Sequence, residues 1–438
     1  MDDMRTRRAF LRDSAAVAAT VALGAGTAIG AEETPKTVRV GMVGVGNRGT
    51  ALLNTLLSLP GVEIPAVCDI SEANAKRAEG IVQGKTGKAP ELYTKDERDW
   101  ENLCRRDDLD AVITATPWQW HTPVMLAAMR AGKYGGTEVP AALTLEECWA
   151  LVKTSEETGK PCMMLENVCY FENVLAVMRM VREGVLGEML HFEAGYQHEC
   201  RSYYITDSGE LTWRGKHLAE KNGNLYPTHP IGPIAWWGNV NRGDRFVSLS
   251  SVSTKSRGMQ AYAAAKLGAE HPLAKREYAM GDVNTTLLRT EKGLTVTLYF
   301  DMCTPRPYDL IFRVQGTKGL CMVSNDKAYI EGMSPEKDKW EPFEPYVKKY
   351  AHPLWTDLEA EAVKNGGHGG GDYIVVQQFI EAVRHGVQTP QDVYDAATWS
   401  AIVPLSMDSV AKSGMQVEFP DFTGGKWESN APIPIHGA

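Results

Sequence analysis

Metal-ligand spacing is absent from this chain. Its eight cysteines, at 68, 104, 148, 162, 169, 200, 303 and 321, form no C-x-x-C pair and no Cys/His cluster. A zinc site has no support, and buried free thiols are the expectation. A basic run is absent too. Lys and Arg total 46 against 55 Asp and Glu, a formal net charge of −9, and such a field repels phosphate backbones, so nucleic acid is not expected as a partner. No apolar stretch reaches the ~20 residues a bilayer crossing needs, and no segment repeats. What remains is an ordinary globular composition, 43% hydrophobic and 23% charged over 438 residues. That length implies two domains plus any processed segment.

The first thirty residues differ in kind from the rest. Arg5, Arg7, Arg8 and Arg12 precede an Ala/Val/Leu/Gly stretch from Ala15 to Ile29, and Ala28, Gly30 and Ala31 offer a cleavage site. Residues 1–31 read as a signal peptide. A lipid anchor or an uncleaved helix is the other reading, against which the lack of a nearby Cys and the short span of roughly 15 residues both count. The run Thr6-Arg7-Arg8-Ala9-Phe10-Leu11-Arg12 is similar to a twin-arginine export signal, a route for proteins that fold and load their cofactor before crossing. A periplasmic or otherwise extracytoplasmic location follows, with no membrane span after signal removal. Export would let some thiols pair, whereas folding beforehand in a reducing cytoplasm would keep them reduced.

Beyond a short linker, Val38–Val43 is an apolar, β-branched run followed by a glycine cluster and then by helical spacing over Ala51–Leu59. Strands at Val62–Val67 and Ala111–Thr114 alternate with helices at Ser71–Ile81, Pro123–Ala131 and Glu146–Thr158, and Pro161–Leu165 closes the unit. Strands alternating with helices at this pitch predict an α/β fold, a Rossmann-type doubly wound parallel sheet over 36–166. From 167 to 438 the pattern changes to longer alternating strands at Glu188–Gly195, Phe246–Ser253, Asn284–Phe300, Leu310–Gly316 and Gly319–Ser324, with a hairpin turn at Glu291-Lys-Gly293. This predicts an α+β substrate domain with an open, largely antiparallel sheet and helices on one face, a surface on which a homo-oligomer can form. The loop Gly366–Gly371 precedes a helix-like run, Tyr373–His385, and a last helix spans Asp392–Ala411.

Gly44-Val45-Gly46-Asn47-Arg48-Gly49 sits directly after a strand and before a helix. In that context the glycines allow a tight turn, a close backbone approach to a pyrophosphate and tight helix packing, with the phosphates on the helix N-terminus. Asp69 ends the second strand about 20 residues on, where a carboxylate accepts from ribose hydroxyls and disfavours a 2′-phosphate, so NAD is expected over NADP. The plainer reading makes Asp69 a helix cap. Thr116-Pro-Trp-Gln-Trp-His-Thr-Pro123 lies at the same sheet edge, its aromatics either lining a nicotinamide pocket or packing in the core.

Together these features resemble the Gfo/Idh/MocA family, NAD(P)-dependent enzymes acting mostly on sugars, which usually carry Glu-Lys-Pro where this chain reads Glu138-Val139-Pro140. Valine moves no proton, so simple alcohol dehydrogenation loses its customary acid/base. The segments Gly-Thr-Glu-Val-Pro-Ala-Ala-Leu-Thr at 136–144, Met-Met-Leu-Glu-Asn at 163–167, Gly-Asn-Leu-Tyr-Pro-Thr-His at 223–229, Thr-Pro-Arg-Pro-Tyr at 304–308 and Gln-Asp-Val-Tyr-Asp-Ala-Ala at 391–397 are similar to glycoside hydrolase family 109. Its members are NAD-dependent exoglycosidases typified by α-N-acetylgalactosaminidase.

The resemblance implies NAD contacts at Gly44, Gly46, Asn47, Arg48, Gly49, Asp69, Trp118, Gln119, Trp120, His121, Glu138, Val139, Asn167 and Tyr226. It implies substrate contacts at Tyr196, Arg214, Tyr226, Pro227, Thr228, His229 and Tyr308. One departure is Pro230-Ile231 after His229, in place of Gly-Leu; a proline there would stiffen a loop. The implied chemistry is oxidation at C3 of a carbohydrate substrate, elimination across C1–C2, addition of water and re-reduction, with no metal. Proton transfer wants groups of moderate pKa, and His229, Tyr196 and Tyr226 are the catalytic candidates. Outside the motif, a lone His or Tyr of this kind is as often structural. His368 in the glycine-rich loop is a further candidate, and Arg214 grips the substrate or is solvated surface. The alternatives are an NAD-dependent sugar oxidoreductase and a non-catalytic sugar-binding protein that retains NAD.

Overall fold

A computed structural model describes residues 36–433; the segment read as an export signal lies outside the described residues. Six short strands, β1 (Val38–Val43), β2 (Val62–Cys68), β3 (Glu91–Tyr93), β4 (Ala111–Thr114), β5 (Tyr134–Thr137) and β6 (Cys162–Met164), form one sheet in the order β3-β2-β1-β4-β5-β6. All its pairings are parallel. With helices on both faces, the central strands β1 and β4 are buried almost throughout, which is why they read as continuous apolar runs, while β3 lies partly exposed at the edge. The order reverses between β1 and β4, opening a crevice at the carboxyl ends of the strands.

Strand β5, Tyr-Gly-Gly-Thr, carries little strand propensity of its own. Tertiary packing explains it. A Cβ on Gly135 would lie 2.8 Å from the Met125 sulfur, and one on Gly136 would lie 2.9 Å from Ile113 and 3.2 Å from the Phe379 ring. Phe379 belongs to the helix Gly371–His385, so the chain returns from its far end to cover the first sheet. The helix expected from Pro123 begins at His121. A proline within the first turn removes an N–H that had no intrahelical partner.

The second sheet contains β7 (Met189–Gln197), β8 (Phe246–Ser253), β9 (Asn284–Thr290), β10 (Thr295–Asp301), β11 (Arg313–Gly316), β12 (Gly319–Met322), β13 (Lys327–Ile330) and β14 (Val417–Glu418). Their order is β13-β12-β11-β7-β10-β9-β8-β14, antiparallel except for β7 with β10. Gly293 turns the β9–β10 hairpin at φ +92°. Residues alternate as a half-covered sheet requires: Asn284, Thr286, Leu288 and Thr290 are buried, Leu287 and Arg289 exposed. The strand expected from Leu310 begins only at Arg313, because Ile311 and Phe312 take positive φ and break the extended run.

The helix Thr228–Trp237 lies under β7, with Trp237 ringed by Phe192 and Phe312. The helix Val393–Ala411, opened by an Asp392/Asp395 capping box, joins the two sheets. Its Ser409 Oγ accepts from Ser251 N of β8 at 2.8 Å, and its Ser400 Oγ from Ala141 N beside the first sheet at 3.0 Å. All eight cysteines are buried and free. No described helix is long and apolar enough to cross a membrane.

Candidate active site

The turn after β1 meets the geometric demands of a pyrophosphate cradle. Gly44 has φ +79°, and a Cβ on Gly49 would stand 1.9 Å from the Gly44 carbonyl oxygen, so neither position admits a side chain. A Cβ on Gly46, by contrast, would meet nothing within 4 Å. Gly46 borders open space at the N-terminus of the helix Asn47–Leu56, which has no side-chain cap. Uncapped N–H groups facing a void are the donor set an anion requires, and the residues present fit a dinucleotide.

Around that void runs a cleft of about 370 Å³, lined among others by Asp69, Thr116, Trp118, His121, Glu138, Val139 and Arg214. Asp69 does two things there. Its carboxylate accepts from Val45 N and Ser71 N, both at 2.8 Å, and it stays half-buried at the cleft wall. His121 is buried, its two ring nitrogens 2.7 Å from Pro140 O and 2.9 Å from Thr116 O, and burial pushes its pKa down. Its ring therefore braces the two loops that frame the cleft. Trp120 packs on Trp100 with ring centroids 6.0 Å apart, and Gln119 is exposed. Neither lines the cleft, whereas Trp118 does.

At the far end of the cleft, residues distant in sequence meet. Arg48 Nε donates to Glu138 at 2.6 Å, while its two terminal nitrogens donate to both oxygens of Asp372 at 2.6 and 3.0 Å. Asn167 donates to the same carboxylate at 2.7 Å, and His368 Nδ1 lies 2.9 Å from it. Burial alone would raise the Asp372 pKa, but His368 and Arg48 together hold it well below the usual carboxylate range. The His368 imidazole is in turn raised by its bond to Asp372.

The expected substrate residues come together beside this cluster. Tyr196 ends β7, Tyr226 precedes the helix Thr228–Trp237, and His229 lies in that helix's first turn. Their ring centroids are 5.0 Å apart for Tyr196–Tyr226, 5.1 Å for Tyr196–His229 and 5.0 Å for Tyr226–His229. Tyr308 closes on Tyr196 at 6.0 Å, and Tyr226 stacks on Trp118 at 5.7 Å, joining the aromatic cluster to the cofactor cleft. Burial pushes all three phenols upward, so they are neutral donors. Arg214 lies 4.2 Å over the Trp213 ring at the cleft wall rather than out in solvent. Pro227 and Thr228 are buried at the start of the same helix. Pro230 occupies the helix's first turn, where proline is tolerated, so it does not stiffen a loop as expected.

Several partners were not among the expected site residues. His229 Nδ1 lies 2.6 Å from Glu166 Oε1, and Glu166 is fully buried with its other oxygen unpartnered. His198 Nδ1 is 3.3 Å from the Tyr196 hydroxyl, and burial lowers its pKa. His217 stacks on Trp118 and is pushed down to about 4 by burial. Asp372 follows a glycine run that reads as an ordinary turn. Only Glu166 lay inside a quoted motif.

Fold and site together define a class: a Rossmann dinucleotide-binding domain joined to an open-sheet domain that brings tyrosines and histidines to the cofactor cleft. Residues 38–166 match the oxidoreductase family with an NAD-binding Rossmann fold, and residues 170–429 match the C-terminal domain of glycosyl hydrolase 109. A glycosyl hydrolase family 109 protein of Stenotrophomonas maltophilia (strain K279a) is 44% identical over 453 residues, 98% of this chain and 97% of the relative. The α-N-acetylgalactosaminidase of Tannerella forsythia is 44% identical over 414 residues, 90% and 88% of the two chains. Levoglucosan dehydrogenase in complex with NADH shares the fold, with TM-score 0.67 at 21% identity over 88% of this chain and 100% of that one. The chain belongs to glycosyl hydrolase family 109, and its cofactor is NAD.

Proposed function

We propose that this chain is an exported NAD-dependent glycosidase that removes terminal α-linked N-acetylgalactosamine or a close relative of it. The convergence of Tyr196, Tyr226, Tyr308 and His229 beside the dinucleotide cleft carries the reading. The likeness to an α-N-acetylgalactosaminidase over nine-tenths of the chain, 90%, supports the substrate.

Most glycosidases flank the bond with two carboxylates, and NAD-dependent families are exceptions. Gly44, Gly46, Arg48 and Asp69 would hold bound NAD, which would supply the hydride acceptor for C3 of the sugar and the donor for its later re-reduction. With C3 as a ketone, the C2 proton becomes acidic and the C1 oxygen can leave by elimination. His229 suits the role of base: with Glu166 on Nδ1, Nε2 is left to accept the proton at C2 or O3. Tyr196 and Tyr226, held neutral by burial, donate hydrogen bonds to sugar hydroxyls. His368, anchored through Nδ1 and raised by Asp372, suits protonation of the leaving oxygen at C1. Arg214 is placed to hold the acetamido oxygen or a hydroxyl. Val139 lines the cleft where related dehydrogenases carry lysine, which leaves these histidines and tyrosines as the proton carriers. The twin-arginine-like Arg7 and Arg8 support loading before export, since a cofactor used and regenerated in place need not be replaced where free NAD is scarce.

The test is incubation with an aryl α-N-acetylgalactosaminide in D₂O. Aryl alcohol release with deuterium at C2 and no accumulating NADH is expected. No release, with NADH rising on free sugars supplied with NAD⁺, would overturn the reading in favour of a sugar oxidoreductase.

A further inference from the structure

The glycine-rich loop 366–371 is shaped around one carboxylate. A Cβ on Gly367 would lie 2.6 Å from Asp372 Oδ2, and one on Gly371 would lie 2.8 Å from Asn167 O and 2.7 Å from the Phe171 ring. His368, Gly369 and Gly370 all take positive φ. This tight path delivers Asp372, 2% exposed, to Arg48 and Asn167. Arg48 stands within the dinucleotide turn itself, 324 residues away in sequence. All three nitrogens of its guanidinium donate to Asp372 or Glu138 on the inner side of the cleft. A bidentate Arg–carboxylate pair fixes orientation as well as distance. Asp372 is thus the link from the C-terminal part of the chain to the Arg48 side chain of the cofactor turn, beside a second contact from Thr55 Oγ1 to Asn365 O lower on the same helix.

We infer that Asp372 is a positioning residue that sets how long NAD stays bound, by clamping Arg48 and Asn167 against the cleft. Orientation of His368 is its lesser task. The inference rests on the reading of NAD as a retained cofactor. Loss of Asp372 leaves Arg48 half-paired and the turn untethered, and disrupting a buried charge pair acts mainly on dissociation. The same loop geometry supplies a second perturbation. Gly367 has φ −74° and ψ 175°, which any residue adopts, so Gly367→Ala pushes on the carboxylate without removing its charge.

The experiment loads purified full-length protein with radiolabelled NAD⁺, adds excess unlabelled NAD⁺ and follows label loss, with no glycoside present. Asp372→Asn is expected to accelerate release by more than about tenfold. Gly367→Ala should move it in the same direction by less, and His368→Gln should leave it within about twofold of wild type, since it spares the Arg48 pair. Circular dichroism checks that each variant is folded; if Asp372→Asn is not, Gly367→Ala carries the test. Release from a folded Asp372→Asn at the wild-type rate, or His368→Gln releasing as fast as Asp372→Asn, overturns the inference. A wild-type chain that exchanges NAD within the mixing time overturns the retained-cofactor reading itself. That result is distinct from a wild type that holds NAD while the variants do not differ from it.

Discussion

At the residue scale, two imidazoles of the site each lie against a buried carboxylate, His229 against Glu166 and His368 against Asp372. Glu166 is fully buried and its Oε2 has no partner, an arrangement costly to keep unless the charge serves its neighbour. In the proposed reaction its task is to hold the His229 tautomer. Glu166→Gln should therefore lower kcat by about 10²–10⁴-fold while KM and the content of bound NAD change little. Steady-state kinetics with NAD quantified in the same sample checks this. Parallel loss of NAD would instead assign Glu166 a folding role. The charge of Asp69 discriminates at the other end of the cleft. Asp69→Asn should raise affinity for NADP relative to NAD by about tenfold or more, as measured by titration of the stripped protein.

At the scale of elements, the glycines of β1's turn and of β5 have different reasons. Gly44 takes positive φ hard against Ala115 and Thr116, and a Cβ on Gly49 would stand 1.9 Å from the Gly44 carbonyl oxygen, so Gly49→Ala should abolish NAD binding by displacing the turn. Retained stoichiometric NAD in that variant would show that the turn yields. Gly135 and Gly136 exist because Met125, Ile113 and Phe379 crowd the strand from both faces. Phe379 is fully buried on the helix that carries Asp372 at its start. Phe379→Ala should cost about 3–5 kcal/mol in chemical denaturation. It leaves Arg48 and Asp372 untouched, so folded protein should still bind NAD.

For the whole molecule, acid sensitivity follows from burial. His217 is pushed down to about 4, and His121 is also lowered, so both stay neutral in the fold at pH values where the unfolded chain protonates them. Protons bound by the unfolded state alone destabilise the fold, and this destabilisation grows as pH falls from about 6.5 toward 4. The lowered Asp372 acts in the same direction at still lower pH. His217→Gln should flatten the fall in Tm between pH 7 and pH 4.5, checked by calorimetry; an unchanged slope would remove His217 from the account.

How much of this was written in the chain is clear from particular residues. The parallel sheet, the dinucleotide turn, Asp69 and the hairpin at Gly293 are local: each depends on apolar runs or glycine punctuation within a few residues, and periodicity exposes them. The family resemblance implied Tyr196, Tyr226, His229, Tyr308 and Arg214; the first four meet in space, and Arg214 lies over the Trp213 ring at the wall of the adjoining cleft. Local pattern did not reveal β5, whose two glycines answer to side chains from other elements, nor the break at Ile311 and Phe312. Nor did it reveal Glu166 behind His229, or Asp372 beside Arg48. A buried carboxylate looks like any other acidic residue until the fold supplies its partner. The sequence by itself determined the main strands and helices of the first domain, the NAD turn and the residue types available for proton transfer, because these rest on short-range sterics and composition. Only the tertiary structure decided which carboxylate lies against which imidazole and which glycine run reaches the dinucleotide turn, because those contacts span up to 324 residues and exist only once the C-terminal helices have closed over the first sheet.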